Sequence, residues 1–375
     1  MSMSAVEWKK LGEVCEVHTG EQLNRNDMVD DGQFPVINGG KEPSGYTNSF
    51  NEQANSITIS QGGESAGYVN WIDKDFWAGA HCYVVENKEN TVKKFLYYSL
   101  KNIEIILQST KQGAGIPGLN RKKLYEQIIP IPSLDKQQEI VSHLDTFTTL
   151  ISNLENELDM RRKQYEHYRN QLLDFEGVEG VEWKTLGEIG DVTKLAGFEF
   201  TEHVTYKEEG NIIALRGLNV RNGYLDLSDV KYIDGSNFEK LGRSRLYIND
   251  MLFTYVGTIG NVALISENDK FYLAPNVSRI RFNESYIKSR FALYYFQCFS
   301  FVNSQINKYL NASSMKNLTM ENIRKFLLPI LPMPTQQEIV SKLDAFENLI
   351  QSLEQEIKLR KQQYEYYREK LLTFE

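Results

Sequence analysis

The chain contains one long segment twice, and this internal repeat constrains its fold more than any other feature. Residues 137–176 and 336–375, aligned without a gap, are identical at 24 of 40 positions. The stretches EWKKLGEV (7–14) and EWKTLGEI (182–189) also correspond. Because self-similarity at a fixed period indicates repeated structural units, the sequence predicts two tandem repeats, each a variable region followed by one constant segment.

Both constant segments have the apolar pattern of a coiled coil. Apolar residues recur at alternating spacings of four and three, which is a heptad. The central positions are Leu144, Phe147, Ile151, Leu154 and Leu158 in the first segment, and Leu343, Phe346, Ile350, Leu353 and Ile357 in the second. One such stripe could equally be the core-facing side of a helix, but two matching copies favour pairing with each other. Thr335 and Glu338 have capping-box spacing, which predicts the start of the second helix.

Chain connectivity favours an antiparallel pair. About 37 residues at about 1.5 Å each make a helix roughly 55 Å long, and GVEGV at 177–181 is too short to bring the chain back along it. An antiparallel pair places the variable regions at opposite ends, related by an approximate two-fold axis. Tyrosines in the stripe, at 165, 168, 364 and 367 beside Arg161 and Arg360, are unusual for a dry seam. Either they pack against the variable regions or they contact a partner subunit.

Each variable region is predicted to be a mixed α and β domain, so the fold class is α+β. In the first region, SITISQGG (56–63) and HCYVVE (81–86) are strand-like and 93–108 has helical spacing. In the second, NIIALRG, DMLFTYVG, VALIS and VSRIRF are strand-like, and SRFALYYFQCFSFVNSQI is helical. FLYYSL (95–100) is expected to correspond to ALYYFQ (292–297), and Ser65–Gly67 to Thr258–Gly260.

Composition is that of a globular protein, 41% hydrophobic and 25% charged. The opening MSMSAVEWKKLGE lacks the apolar core of a signal peptide, and three scattered cysteines fit buried thiols in a reducing compartment. We therefore expect a cytoplasmic protein. The net charge of −8 argues mildly against nucleic acid, but the segments 133–176 and 332–375 carry −4 and −2 of it. The variable regions are therefore near neutral and can present basic faces.

No catalytic or cofactor motif is evident. The nine prolines include no adjacent pair, so the Asp/Asn-Pro-Pro-aromatic signature of amino-methyltransferases is missing. No G-x-G-x-x-G follows a strand, and Gly39-Gly40-Lys41 lacks the rest of a P-loop. The five histidines have no metal or triad spacing and are expected to be surface or packing residues; they are His18, His81, His143, His167 and His203. We expect no catalytic residue and no metal site.

Polar, aromatic and basic loop residues remain as candidates for DNA contact, because arginine pairs with guanine edges, asparagine and glutamine with adenine, and lysine or serine with phosphate. In the first region the candidates are Asn38, Lys41, Ser44, Tyr46, Gln61, Lys111 and Gln112. In the second they are Arg216, Asn219, Arg221, Arg243, Arg245, Tyr255, Thr258, Asn276, Arg279, Lys308, Asn311, Ser313 and Lys316. Each one singly is more often an ordinary solvated residue; the duplicated set indicates a bipartite DNA-binding protein.

This layout resembles the specificity subunit of type I restriction-modification systems. The resemblance rests on the EWK-LGE openings, the helix entries PIPSLDKQQEIVSHLD and PMPTQQEIVSKLD, the repeated helix, and the VGTIGN and NASSMKNL stretches. QGGESAG in the first region departs from the Thr-Ile-Gly pattern. The implied division is recognition domain 1 (1–132), spacer helix 1 (133–176), recognition domain 2 (177–331) and spacer helix 2 (332–375).

The resemblance also implies partners. Each recognition domain would bind half of a split site in double-stranded DNA, and the helices would set the unread gap. Two methyltransferase subunits, binding S-adenosylmethionine, would methylate adenine, and two restriction subunits, where present, would add ATP-driven translocation. No cofactor is expected on this chain. The alternative is a coiled-coil scaffold that binds only proteins; its binding would not weaken steeply with salt, as DNA binding does.

Overall fold

The computed structural model describes residues 6–110, 118–195, 197–311 and 317–374. Lys111, Gln112, Ser313 and Lys316 lie outside these ranges. The chain divides into two compact units. Unit 1 is Met1–Asn156 with Glu354–Glu375, and unit 2 is Glu157–Leu353.

The variable part of unit 1 is built from short strands and helices. The strands are β1 (Glu7–Lys10), β2 (Cys15–Thr19), β3 (Phe34–Ile37), β4 (Gly45–Thr47), β5 (Ser56–Ser60), β6 (Val69–Ile72), β7 (Trp77–Ala78), β8 (Cys82–Asn87) and β9 (Ile128–Ile131). The helices are α1 (Leu11–Val14), α2 (Lys93–Asn102), α3 (Glu104–Ser109) and α4 (Arg121–Tyr125), and the long α5 spans Leu134–Leu172.

Unit 2 repeats this order. Its strands are β10 (Glu182–Thr185), β11 (Gly190–Lys194), β12 (Ile213–Leu215), β13 (Lys231–Tyr232), β14 (Met251–Thr254), β15 (Val262–Leu264), β16 (Phe271–Leu273), β17 (Val277–Phe282) and β18 (Leu327–Ile330). Its helices are α6 (Leu186–Ile189), α7 (Gly197–Thr201), α8 (Ser289–Gln297), α9 (Phe299–Phe301), α10 (Lys308–Asn311) and α11 (Met320–Arg324), with a π-helical turn at Val302–Asn307. The long α12 spans Met333–Leu372.

The two units have the same sheet topology. In unit 1 the sheets have the strand orders β2-β8-β5-β6 and β4-β3-β7, with a ribbon of β1 and β9. The corresponding orders in unit 2 are β11-β17-β14-β15 and β13-β12-β16, with a ribbon of β10 and β18. In each unit the three-stranded sheet contains one parallel pair, β3 with β7 and β12 with β16. The α+β fold and the internal repeat are therefore confirmed.

The repeated EWK-LGE opening forms the same strand-to-helix joint in both units. Glu13 accepts a hydrogen bond from the Lys10 N–H at 2.6 Å, and Glu188 accepts one from the Thr185 N–H at 2.7 Å. The glutamate three residues into a helix satisfies a backbone donor that the helix leaves unpaired. The short motif therefore makes the same cap in both units.

The long helices pair antiparallel within each unit. In unit 1, Phe147 stacks on Tyr367 with ring centroids 5.4 Å apart, and Glu155 bonds Lys361 at 2.7 Å, so the partner's numbering falls as that of α5 rises. In unit 2, Tyr168 stacks on Phe346 with centroids 5.5 Å apart. All ten predicted stripe positions are buried or half-buried, whereas the off-stripe Leu150 and Leu349 are exposed.

One predicted boundary is wrong. Helix α12 begins at Met333, so Thr335 lies inside the helix and does not cap it. Pro334 occupies the first turn, where a proline's missing N–H costs nothing because that donor has no helical acceptor. The proline therefore allows the helix to start at Met333, three residues before Gln336, where an N-cap at Thr335 would have placed its first residue.

A glutamine at the start of each long helix holds the variable helix of the same unit. Gln137 Oε1 accepts the Val92 N–H at 2.8 Å, and Gln336 Oε1 accepts the Lys288 N–H at 2.8 Å. Val92 and Lys288 are the N-cap residues of α2 and α8, and both glutamines are fully buried. Each glutamine thus caps a helix in the variable region with an amide from the constant region.

The alignment of the variable helices shifts by one residue from the predicted one. Tyr98 bonds Asp145, and Tyr294 bonds Asp344, which is the repeat partner of Asp145. Tyr98 therefore corresponds to Tyr294, so FLYYSL does not align with ALYYFQ as expected. Both sequences carry two adjacent tyrosines, so they can be aligned in more than one way. The alignment is fixed by the tyrosine of each pair that bonds the long helix. The other predicted match is confirmed at Gly67 and Gly260, whose N–H groups donate to Ser60 and Thr254.

Candidate nucleic-acid interface

Three loops of unit 1 meet beside the ends of β3, β5 and β8. Asn38 follows β3, Gln61 follows β5 and His81 precedes β8. The His81 N–H donates to Asn38 Oδ1 at 3.1 Å, and the Gln61 N–H donates to the His81 carbonyl at 2.9 Å. We call this set, Asn38, Gln61 and His81, the unit-1 loop corner.

Glycine at position 39 permits the close contact inside this corner. Gly39 has φ +89°, and a Cβ there would lie 2.8 Å from the His81 carbonyl oxygen. An L side chain is strained at this φ and would also collide with backbone. The Asn38-Gly39 step therefore requires glycine for a structural reason.

Two lysines lie against the ring of Tyr68, whose carbonyl accepts the N–H of Ser60, the residue before Gln61. Lys41 Nζ lies 5.6 Å from the Tyr68 ring centroid, and Lys101 Nζ lies 4.2 Å from it. Burial raises the pKa of Tyr68, and the nearby carboxylates of Glu104 and Glu42 raise it further. The phenol is therefore neutral and can act as a hydrogen-bond donor at neutral pH.

Arg121 is a third cation of this region, two residues after Leu119, which bonds Gln61. Its Nη2 donates to Thr19 Oγ1 at 2.7 Å, and its guanidinium lies 5.5 Å from the Tyr83 ring centroid. The nearby Leu119 N–H donates to the Gln61 carbonyl at 2.7 Å. Arg121, Lys101 and His81 were not among the candidates. An arginine in the run NRKK at 120–123 was the available signal, whereas nothing in the sequence distinguished His81 from a packing histidine.

The remaining candidates of unit 1 lie on the β3–β4 hairpin. Ser44 is exposed and its N–H donates to the Val36 carbonyl at 2.8 Å. Tyr46 lies on β4 opposite Pro35 and is 44% exposed. Their side chains are accessible, but no contact brings them to the loop corner in the described part of the chain.

Unit 2 has the corresponding corner. Ser60 pairs with Cys82 in unit 1 as Thr254 pairs with Val277 in unit 2, so Gln61 and His81 correspond to Tyr255 and Asn276. The Leu215 carbonyl accepts from Ala274 as the Ile37 carbonyl accepts from Gly79, so Arg216 corresponds to Asn38. The Leu318 N–H donates to Tyr255 O at 3.2 Å, as Leu119 does to Gln61. We call Arg216, Tyr255 and Asn276 the unit-2 loop corner.

Three candidates of unit 2 are buried in the fold. Asn219 is fully buried; it accepts the Arg216 N–H at 3.0 Å and donates to two backbone carbonyls. Arg279 is 7% exposed and bonds Asp191 and Thr193. Tyr255 is 9% exposed. A side chain that is buried in the fold exposes little surface to a groove, so we leave these three out of the proposed DNA-contacting set.

Three arginines of unit 2 are accessible but paired with aspartates. Arg216 Nη2 bonds Asp229 Oδ1 at 3.0 Å, and Arg221 Nη2 bonds Asp226 Oδ2 at 3.2 Å. Arg245 pairs with Asp269. Hydrogen bonds from Ser228 first and then Arg221 lower the pKa of Asp226. Each arginine therefore carries an internal counter-charge that a phosphate or base would have to displace.

The other candidates of unit 2 have these positions. Thr258 is exposed and its carbonyl accepts from Thr254 Oγ1 at 2.5 Å; Asn276 is exposed with φ +70°. Arg243 is exposed on the turn Gly242–Ser244, and Lys308 is exposed with its Nζ 5.6 Å from the Tyr309 ring centroid. Asn311 ends α10.

Within the described residues, no group of three or more metal-ligating side chains comes together. Burial raises the pKa of Cys15 and Cys82 to about 12 and that of Cys298 to about 11. All three are free thiols and buried, so each is held protonated. Among the described helices, none combines the length and the apolar character that a membrane crossing requires.

The repeated α+β units with their long helices give the chain a two-fold internal repeat, and a single family model matches both halves. The family model described as the type I restriction modification DNA specificity domain matches residues 3–160 and again 179–359. The chain therefore belongs to the family of type I restriction-modification specificity subunits.

Relatives extend this match over nearly the whole chain. A type I restriction enzyme specificity subunit of Escherichia coli is 30% identical over 98% of this chain and 94% of its own length. A putative type I restriction enzyme specificity subunit of Haemophilus influenzae is 29% identical over 99% of this chain and 96% of its own. The crystal structure of a type I system S subunit from M. genitalium shares the fold, with a TM-score of 0.66 at 18% identity over 100% of this chain and 98% of its own.

Proposed function

We propose that this chain is the DNA-reading subunit of a type I restriction-modification complex and recognises a bipartite duplex target. Each variable region, 1–132 and 177–331, would bind one half-site, and the helical segments 133–176 and 332–375 would set the gap between them. The single observation that carries the proposal is that one fold occurs twice with different residues at equivalent loop corners. Different side chains in equivalent places would select different bases.

The chemistry of the two corners supports this assignment. The unit-1 corner contains two amides and the His81 imidazole, and the unit-2 corner presents the Arg216 guanidinium and the Asn276 amide beside the buried Tyr255. These groups form the directional hydrogen bonds that distinguish base edges in the major groove. Exposed Lys41, Arg121 and Lys308 supply the positive charge that phosphate contacts need.

We further propose that the long helices bind two methyltransferase subunits, and restriction subunits where these are encoded. The segments 133–176 and 332–375 are acidic, with charges of −4 and −2. An acidic surface repels phosphates but complements basic protein faces. S-adenosylmethionine and ATP would bind to those partners.

Co-expression with the cognate methyltransferase subunit, followed by single-molecule sequencing of host DNA for methyladenine, tests the proposal. A split methylated motif with a fixed unread gap is the expected result. A stable complex that leaves the DNA unmethylated would favour a protein-binding scaffold.

A paired deletion tests the spacing function of the helices. Residues 153–159 and 355–361 are one heptad each and are matched across the antiparallel pair, because Glu155 bonds Lys361. Removing both shortens the pair by about 10 Å, equivalent to about three base pairs of duplex. The methylated motif should keep both half-sites and lose about three positions from its gap; an unchanged gap contradicts the spacing function.

A further inference from the structure

His81 combines an exposed side chain with a firmly held backbone. Its N–H donates to Asn38 Oδ1 and its carbonyl accepts from Gln61, while Gly39 packs against the same carbonyl. Side chains on backbone that is fixed before binding lose less conformational freedom when they contact a ligand. The corner thus holds the backbone that carries the imidazole, and these contacts do not use its nitrogen atoms.

The equivalent position in unit 2 carries Asn276. Both residues immediately precede an inner strand of the four-stranded sheet, β8 in unit 1 and β17 in unit 2. Both side chains are exposed. Imidazole and amide differ in which hydrogen-bond partners they satisfy, because neutral imidazole offers one donor and one acceptor, whereas an amide offers two donors and one acceptor oxygen.

The surroundings of His81 fit a nucleic-acid contact. Lys41 lies three residues after Asn38, and Arg121 lies two residues after Leu119, which bonds Gln61. Both cations are exposed. Phosphate contacts of this kind fix the register of a protein on the duplex and leave neighbouring side chains to contact the bases.

We propose that His81 is a specificity-determining residue that contacts a base edge in the half-site bound by unit 1, with Asn276 as its counterpart in unit 2. The inference rests on the proposed bipartite function and adds the residue that selects a base. Neither the sequence around His81 nor the family match indicates this role in base selection.

The test compares methylated motifs from three variants co-expressed with the methyltransferase subunit: His81→Ala, the conservative His81→Asn, and His18→Ala as a matched control. The His18 side chain is 49% exposed on β2 of the same unit and lies outside the long helices. In H81A, methylation at sites mismatched at one position of one half-site should rise roughly five- to hundredfold over wild type, the range of a good base contact. H81N should change the preference at that same position, whereas H18A should give the wild-type motif.

Asn276→Ala extends the test to unit 2 and should relax one position in the other half-site only. If wild type methylates a split motif and both His81 variants keep every position at wild-type selectivity, the inference on His81 is overturned while the bipartite function stands. If H81A loses its folded state by thermal unfolding, His81 is structural and the inference is overturned as well. If wild type gives no split motif, the proposed function itself fails.

Discussion

The Tyr294 hydroxyl donates a 2.6 Å hydrogen bond to Asp344 Oδ1 and joins the variable helix α8 to the long helix α12. The equivalent Tyr98 hydroxyl lies 2.5 Å from Asp145 Oδ1 in unit 1. A cation completes each contact, since Arg290 bonds Asp344 at 2.9 Å and Lys94 lies 3.8 Å from Asp145. Burial raises the pKa of both tyrosines, and the aspartate bond raises it further. The phenols therefore stay protonated and donate.

Removing either hydroxyl should destabilise the protein. Tyr294→Phe and Tyr98→Phe each lose a hydrogen bond to a charged acceptor, which stabilises a fold by about 1.5–3 kcal/mol. Urea unfolding should show a loss of that order, and Tyr224→Phe, at a tyrosine that is 62% exposed, should change little. Equal free energies of unfolding for Y294F and Y224F would show that the hydrogen bond to Asp344 does not stabilise the protein.

The aromatic stack between the long helices should contribute a measurable coupling. Phe147 and Tyr367 have nearly parallel rings, with an interplanar angle of 21°. A double-mutant cycle with Phe147→Ala and Tyr367→Ala should give a coupling of about 0.5–1.5 kcal/mol, as for other aromatic pairs. The control is a cycle of Phe147→Ala with Tyr366→Ala. Tyr366 is 58% exposed, so the coupling free energy of this cycle should be smaller. Additive effects in both cycles would contradict the prediction.

Neutralising Asp229 should change how unit 2 binds DNA. Asp229→Asn removes the counter-charge of Arg216, so the guanidinium becomes available to phosphate. Affinity for non-specific duplex should rise, and the slope of log affinity against log salt should steepen by about 0.9 for one added phosphate contact. Asp159→Asn is charge-matched, since Asp159 bonds Lys163 at 2.7 Å on α5. Identical salt slopes for the two variants would show that the Arg216 pair does not affect binding.

Stability should fall in mild acid through Glu188 and Asp191. Hydrogen bonds from the Thr185 side chain and backbone lower the pKa of Glu188. Burial alone would raise the pKa of Asp191, but bonds from Thr193 and Arg279 lower it by more. A lowered folded pKa gives stability that is present above the unfolded pKa of about 4 and is lost as pH falls through the folded pKa.

Thermal unfolding between about pH 5 and pH 2 measures this effect, because the window begins above the unfolded pKa of about 4. The Tm of wild type should drop as the pH falls, and the drop should be smaller in Glu188→Gln and in Asp191→Asn. Glu239→Gln, at an exposed glutamate, is the control. A drop of wild-type size in both test variants would show that these two carboxylates do not cause it.

The repeat made most of the architecture predictable. A heptad depends only on spacing along one helix, so the stripe from Leu144 to Leu158 could be located from sequence alone. The tyrosines left open two interpretations. Tyr165 bonds Glu347 at 2.9 Å and packs against the core of unit 2, and Tyr364 packs against that of unit 1, which supports packing for these two.

The candidate site was less predictable because accessibility depends on tertiary contacts. Asn219 and Arg279 have the residue types of DNA-contacting side chains, yet both are buried and form hydrogen bonds within the fold. His81 shows the opposite case, because its exposed placement comes from Asn38 and Gln61, which lie 43 and 20 positions away. Local sequence carries neither kind of information.

The capping glutamines leave the residues they cap free to vary. Gln137 and Gln336 bind backbone amide groups, so the joint places no chemical requirement on the side chain at the capped position. The chain itself illustrates this tolerance, with an aliphatic valine at 92 and a charged lysine at 288. Natural selection can therefore rewrite a variable region residue by residue while the joint that carries it stays unchanged.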